Sequence, residues 1–251
     1  NVTGAINVNV AGVETLAIVS AGGDGSNSID LQAATATSLT ITGSGDLTLS
    51  ALDDGNTDAD SNKLTSINAS AMTGSFGVTT GAMDIGASTL SISGGAGNDS
   101  IDVSGNDGLV SVSGGAGNDT VTITLATTDT VSGGDGTDTL VTDAAISPAG
   151  NVSGFETFRA AAALAQDFDH LAGNTFTAVE TAIVGAATVS FTDVAASVAT
   201  LRLNTVAVGA NTDTVTVDRK TDTGSDALTI VARGSNQTAV TANDEESLTV
   251  D

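Results

Sequence analysis

The sequence predicts an all-β chain folded as a parallel β-roll or β-solenoid. Three observations carry that expectation. The pattern G-G-x-G-x-D-x-U-x, with U a large apolar residue, begins at Gly94, Gly114 and Gly133, in steps of 20 and 19 residues. Alternating apolar residues recur at the same interval: Leu90 and Ile92 return as Val110 and Val112, and Ile101 and Val103 as Val121 and Ile123. Short phrases that place Ser, Thr or another polar residue before an apolar-x-apolar run recur along most of the chain. Repeats of about 20 to 50 residues mark solenoids or arrays.

Each nonapeptide divides into a loop and a strand. The loops are Gly94-Gly95-Ala96-Gly97-Asn98-Asp99, Gly114-Gly115-Ala116-Gly117-Asn118-Asp119 and Gly133-Gly134-Asp135-Gly136-Thr137-Asp138. Glycine lets backbone crowd close to an ion. A hard cation such as Ca²⁺ takes six to eight oxygens from carboxylates and carbonyls. A glycine-rich loop that ends in Asp supplies both. Alternate residues of the following strand share one face, so Ile101, Val121 and Leu140 are expected to point inward. A coil of about 20 residues then holds two strands, and stacked coils lie about 4.8 Å apart. The three loops should stack along one edge, with at least two ion positions between them. The opposite edge carries Asp107 and Asp129 without the glycines, and is expected to bind Ca²⁺ weakly or not at all.

The chain divides by motif into 1–93, 94–148 and 149–251, with solenoid-like segments on either side of the calcium roll. In the first segment, Glu14–Ile18, Asn27–Leu31, Thr37–Ile41 and Asp46–Leu49 read as strands. A degenerate loop there offers Gly23, Asp24, Gly25 and Asn27 as further metal ligands. Asn27 replaces the Asp and brings an oxygen without charge, so affinity should fall. The acidic loop Asp53–Asp60 alternates acids as an EF-hand begins. It lacks the central glycine and closing Glu, and reads as a solvated loop. In the last segment Glu180–Val184, Thr200–Leu203, Asp213–Val217, Asp226–Ile230 and Glu246–Val250 read as strands, with Leu228 and Leu248 again 20 apart. Residues 159–172 are rich in alanine, which suits a short helix or a tight solenoid strand.

Composition excludes several functions. The net charge is −24, from 30 acids against six Lys and Arg, and 25 of the acids are Asp. Phosphate neutralisation needs cations, so no nucleic acid is expected as a partner. There is no cysteine, hence no disulfide or thiol catalysis. No run of 18 apolar residues exists, so no transmembrane helix is expected. Asn1 follows no basic, apolar leader, and the chain reads as a segment of a longer protein. His170 is the single histidine, beside Asp167 and Asp169. No nucleophile elbow, phosphate loop or zinc spacing accompanies it, so it reads as a surface histidine and the chain as no enzyme.

The three loops resemble the calcium-binding nonapeptides of RTX proteins exported by type I secretion. The longer run GGAGNDSIDV, GGAGNDTVTI, GGDGTDTLV, GNVSGFETFRAAAA and GNTFTAVETAIVGAATVSFTDVA resembles surface-layer proteins of the Caulobacter type. GVETLAIVS, ATSLTITGSGDLTLSAL and LTSINASAMTG are similar to other segments of the same family. The resemblance covers most of the chain, and its specific part is the loops. It implies Ca²⁺ at Asp99, Asp119 and Asp138 with their glycines. It further implies an extracellular place on the bacterial surface and self-association into a two-dimensional lattice. Outer-membrane lipopolysaccharide would be a partner through other parts of a longer protein. The alternative is the stalk of a type I secreted RTX adhesin. A third reading is the calcium module of a secreted enzyme. For calcium-bridged association, the clustered acids Asp54, Asp58, Asp60, Asp218 and Asp222 are the candidates.

Overall fold

The computed structural model describes residues 5–22, 26–33, 35–52, 63–81, 88–106, 108–125, 128–147, 151–183, 187–204, 212–232, 237–245 and 247–251. It is all-β: parallel strands wind as a β-solenoid, and no α-helix occurs among the described residues. Contacts divide the chain into two compact units, 1–138 and 139–251.

The first unit holds β1 (Ile6–Asn9), β2 (Thr15–Ser20), β3 (Asn27–Gln32), β4 (Ser38–Gly43), β5 (Leu47–Leu52) and β6 (Ser66–Met72). It continues with β7 (Phe76–Thr79), β8 (Thr89–Ser93), β9 (Ser100–Asp102), β10 (Leu109–Ala116), β11 (Thr120–Ile123) and β12 (Thr130–Asp135). Odd strands form one parallel sheet and even strands another, each in chain order. Every coil therefore contributes one strand to each sheet, as the repeat demands.

Register explains the core. Leu16, Leu39, Ile67, Ile92, Val112 and Val131 pair in one column of the even sheet. Ile29, Leu49, Val78, Ile101 and Val121 do so in the odd sheet. All but the terminal Leu16 and Ile29 are buried. Burying each such side chain stabilises by about 1.5–3 kcal/mol. Because side chains alternate, a slip of one residue would turn a whole column to water, so the pattern pins the register. The even-sheet column steps by 23, 28, 25, 20 and 19 residues. Inward pairing survives where the loops lengthen.

The second unit holds β13 (Thr139–Thr142), β14 (Asn151–Ser153), β15 (Thr157–Ala160), β16 (Leu164–Asp167), β17 (Ala178–Thr181) and β18 (Thr188–Val194). Then come β19 (Thr200–Leu203), β20 (Thr212–Arg219), β21 (Ala227–Ala232), β22 (Gln237–Asn243) and β23 (Ser247–Val250). Leu140, Phe158, Val179, Leu201, Ile230 and Val250 make one column. Leu164, Val189, Val215 and Val240 make the facing one. Phe158, Phe168, Phe176 and Phe191 pack edge to face with centroids 5.2–6.1 Å apart in the core of this unit.

The alanine-rich stretch 159–172 resolves as the end of β15, then β16, then one 3₁₀ turn at Phe168–Leu171. Alanine favours helix, but Phe158, Ala160, Leu164 and Gln166 alternate inward, and the strand period wins. Asp167 caps the 3₁₀ turn by accepting from the Asp169 N–H at 2.9 Å.

Candidate metal centre

The three nonapeptide loops stack at one edge of the first unit. β10 and β12 run through their first glycines, so Gly115 pairs with Gly134 and Ala116 with Asp135. Two of these glycines show why the residue is required. Gly115 has φ +116° and Gly134 φ +118°. A Cβ on Gly134 would sit 2.0 Å from the Gly115 carbonyl oxygen, so only glycine lets successive loops approach.

Asp99, Asp119 and Asp138 are 2%, 1% and 0% exposed and lie one above another. Their position in the coil explains the burial. In the coils before them Phe76 and Leu47 occupy the equivalent register, and both are core residues. The carboxylates therefore project where the other coils put hydrocarbon. Each one staples the coil before it. Asp99 Oδ1 accepts from the Phe76 N–H at 2.7 Å, Asp119 Oδ1 from Asp99 N–H at 2.7 Å, and Asp138 Oδ1 from Asp119 N–H at 2.8 Å.

The second oxygens differ. Asp99 Oδ2 accepts from the Gly95 N–H at 2.6 Å. Asp119 Oδ2 is buried and meets no hydrogen-bond donor among the described residues. It faces the Gly114 turn, where a Cβ on Gly114 would lie 2.4 Å from it. Burial pushes the Asp119 carboxyl up to about 7; the Asp99 N–H opposes the shift, and the charges of Asp99 and Asp138 add to it. Burial also raises Asp99, against its hydrogen bonds from Gly95 and Phe76. A buried carboxylate oxygen without a donor is expensive. One cation beside it would supply the missing partner and relieve the repulsion between carboxylates. The Gly133 carbonyl oxygen and Asp119 Oδ2 both crowd the same Cβ position on Gly114, at 2.3 and 2.4 Å, and such oxygen donors fit a hard divalent ion.

Other loop residues hold the frame. Asn98 Oδ1 accepts from Asn118 N–H at 2.8 Å, and Asn118 Oδ1 from Thr137 N–H at 2.9 Å. The Asp135 side chain is exposed; its carbonyl accepts from Gly117 N–H. Gly94, Gly97, Gly133 and Gly136 complete the three turns. Asn27 lies apart from them. It pairs in register with Leu47, its amide nitrogen donates to Ser20 Oγ at 2.9 Å, and the coils of Leu47 and Phe76 intervene before Asp99. Gly23, Asp24 and Gly25 lie outside the described residues, as do Asp107 and the acidic loop Asp53–Asp60. On the opposite edge Asp129 is buried and its Oδ1 accepts from Val110 N–H at 2.9 Å, a turn staple in itself.

A second acidic group lies in the second unit. One carboxylate oxygen each from Asp167, Asp169 and Asp193 come within 4.8 Å of one another, and the group can hold a metal ion. Lys220 Nζ is hydrogen-bonded to Asp169 and already offsets part of the charge. His170 Nδ1 lies 3.2 Å from the Ile146 carbonyl and Nε2 lies 3.6 Å from Asp167 Oδ2. Sequence singled out Asp167 and Asp169 only as neighbours of His170, and missed Asp193. Pairing of β16 with β18 brings it there, at a bulge between Phe191 and Val194 where Asp193 takes φ +54°.

A scan against protein-family models returns no match, and a search of curated proteins returns none.

Proposed function

We propose that the chain is a calcium-stiffened β-solenoid segment of a bacterial surface-layer protein. Its part is structural: calcium orders the RTX-type loops, and copies self-associate into a lattice outside the cell. The observation that carries this reading is the stack Asp99, Asp119 and Asp138, with the Asp119 Oδ2 atom buried and without a donor. Such an arrangement is costly empty and stable when loaded. The resemblance of the loops and of the flanking sequence supplies the surface-layer context. The group Asp167, Asp169 and Asp193 is a further place for the same ion.

The test is a calcium titration of the chain followed by solution scattering and electron microscopy. Calcium is expected to compact the chain and then to give ordered sheets, with magnesium a poor substitute because it dehydrates reluctantly. Compact monomeric rods at saturating calcium, with no sheets from the full-length protein, would favour the adhesin stalk. Sheets that form equally in sodium chloride with EDTA would refute the calcium-driven lattice.

A further inference from the structure

The outward columns of the even-strand sheet in the first unit carry no charge. Across β2, β4, β6, β8, β10 and β12 the only charged residue is Asp135, at the loop end of β12. Two outward columns cross this face in register. One is Thr15, Ser38, Ser66, Ser91, Ser111 and Thr130; the other is Ala17, Thr40, Asn68, Ser93, Ser113 and Ser132. All are half-buried or exposed. At the edge of the same face Val19 is 73% exposed. The odd-strand face of this unit carries Asp30 and Asp102, and the strands β16, β18 and β20 of the second unit carry acids.

We infer that this face is where two copies of the chain pack against each other, even sheet to even sheet. The inference rests on the self-association reading and names the surface that performs it. The occupant follows from charge. A chain of net charge −24 repels its own copies over most orientations. Contact through the neutral face keeps acids at the margin and brings together hydroxyls, amides and small apolar groups. These cost far less to desolvate than carboxylates, and hydrogen bonds across the contact offset the cost for the hydroxyls and amides. A parallel sheet with side chains in register presents a repetitive surface, so one face can meet another of its kind about a two-fold axis.

Size sets the strength. Six strands about 4.8 Å apart, with two or three outward residues each, give a face of roughly 25 by 15 Å, about 400 Å². A stable interface buries about 800 Å² on each partner. The contact is therefore weak as an isolated pair and gains from repetition in an array.

The chain has no cysteine, so single thiols report the contact cleanly. Ser91→Cys and Ser111→Cys probe the neutral face, and Thr122→Cys the odd-strand face. With calcium and a mild oxidant, disulfide dimers of the first two are expected to form several-fold faster than those of Thr122→Cys. Equal rates overturn the inference. A second measurement guards against a variant that misfolds. Sedimentation of the double variant Ser91→Asp with Ser111→Asp, its circular dichroism matching the parent, should show weaker association than the parent. Unchanged association also overturns it. Lattice sheets without face bias would leave the surface-layer reading standing and sink this one; face-biased dimers without sheets would do the reverse.

Discussion

Asp119 sits in the middle loop, where one oxygen staples the coil before it and the other has no donor. Its folded-state pKa of about 7 stands above the ordinary 3.8. Between those values the folded chain keeps a proton that the unfolded chain has lost. Raising pH through that window removes the proton and destabilises the metal-free fold. Metal-free melting temperature should therefore fall as pH rises from about 4 to about 7, and a flat profile would contradict the assignment. Calcium bound there as proposed would displace the same proton, so its apparent affinity should weaken as pH falls below about 7. Asp119→Asn should melt higher than the parent without metal at neutral pH, and gain less from calcium. Equal calcium stoichiometry in Asp119→Ala and parent would count against a shared ion position. Gly134→Ala carries a different cost. Its Cβ would meet the Gly115 oxygen at 2.0 Å with φ at +118°, so a loss of more than about 1–3 kcal/mol is expected in a denaturant titration.

At the scale of elements, the inward column is the unit of stability. Phe158 is fully buried and stacks edge-on with three other rings. Phe158→Ala should cost about 3–5 kcal/mol, whereas an outward change such as Thr40→Ser should stay within about 0.5 kcal/mol. Denaturation midpoints of the two variants decide this. Register was legible in the sequence where loop length is constant. The pairs Leu90 with Val110, Ile101 with Val121 and Leu228 with Leu248 all stand as spacing predicts. It was not legible where loops lengthen. Nothing local shows that Leu47 and Phe76 occupy the register position of Asp99, because steps of 29 and 23 residues separate the three. Asp193 escaped notice for a related reason: a bulge, which no periodicity encodes, turns it toward Asp167. The stretch 159–172 stayed open between helix and strand, since alanine speaks for helix while the alternation around it speaks for strand; the structure holds strand and one 3₁₀ turn.

For the whole molecule the decisive quantity is charge. An excess of 24 acids favours expansion of the chain, and ordinary salt screens this only over a Debye length of about 8 Å. Ions bound by the folded state alone add stability by mass action, about 2.7 kcal/mol per site at 100 times Kd. The measurement that tests the account most directly is thermal melting by far-UV circular dichroism. It compares millimolar calcium with EDTA at matched ionic strength, with removal of metal verified. A melting temperature well above the EDTA value in calcium, with magnesium giving little of the rise, is the predicted result. Identical spectra and melting curves in calcium and in EDTA would contradict it.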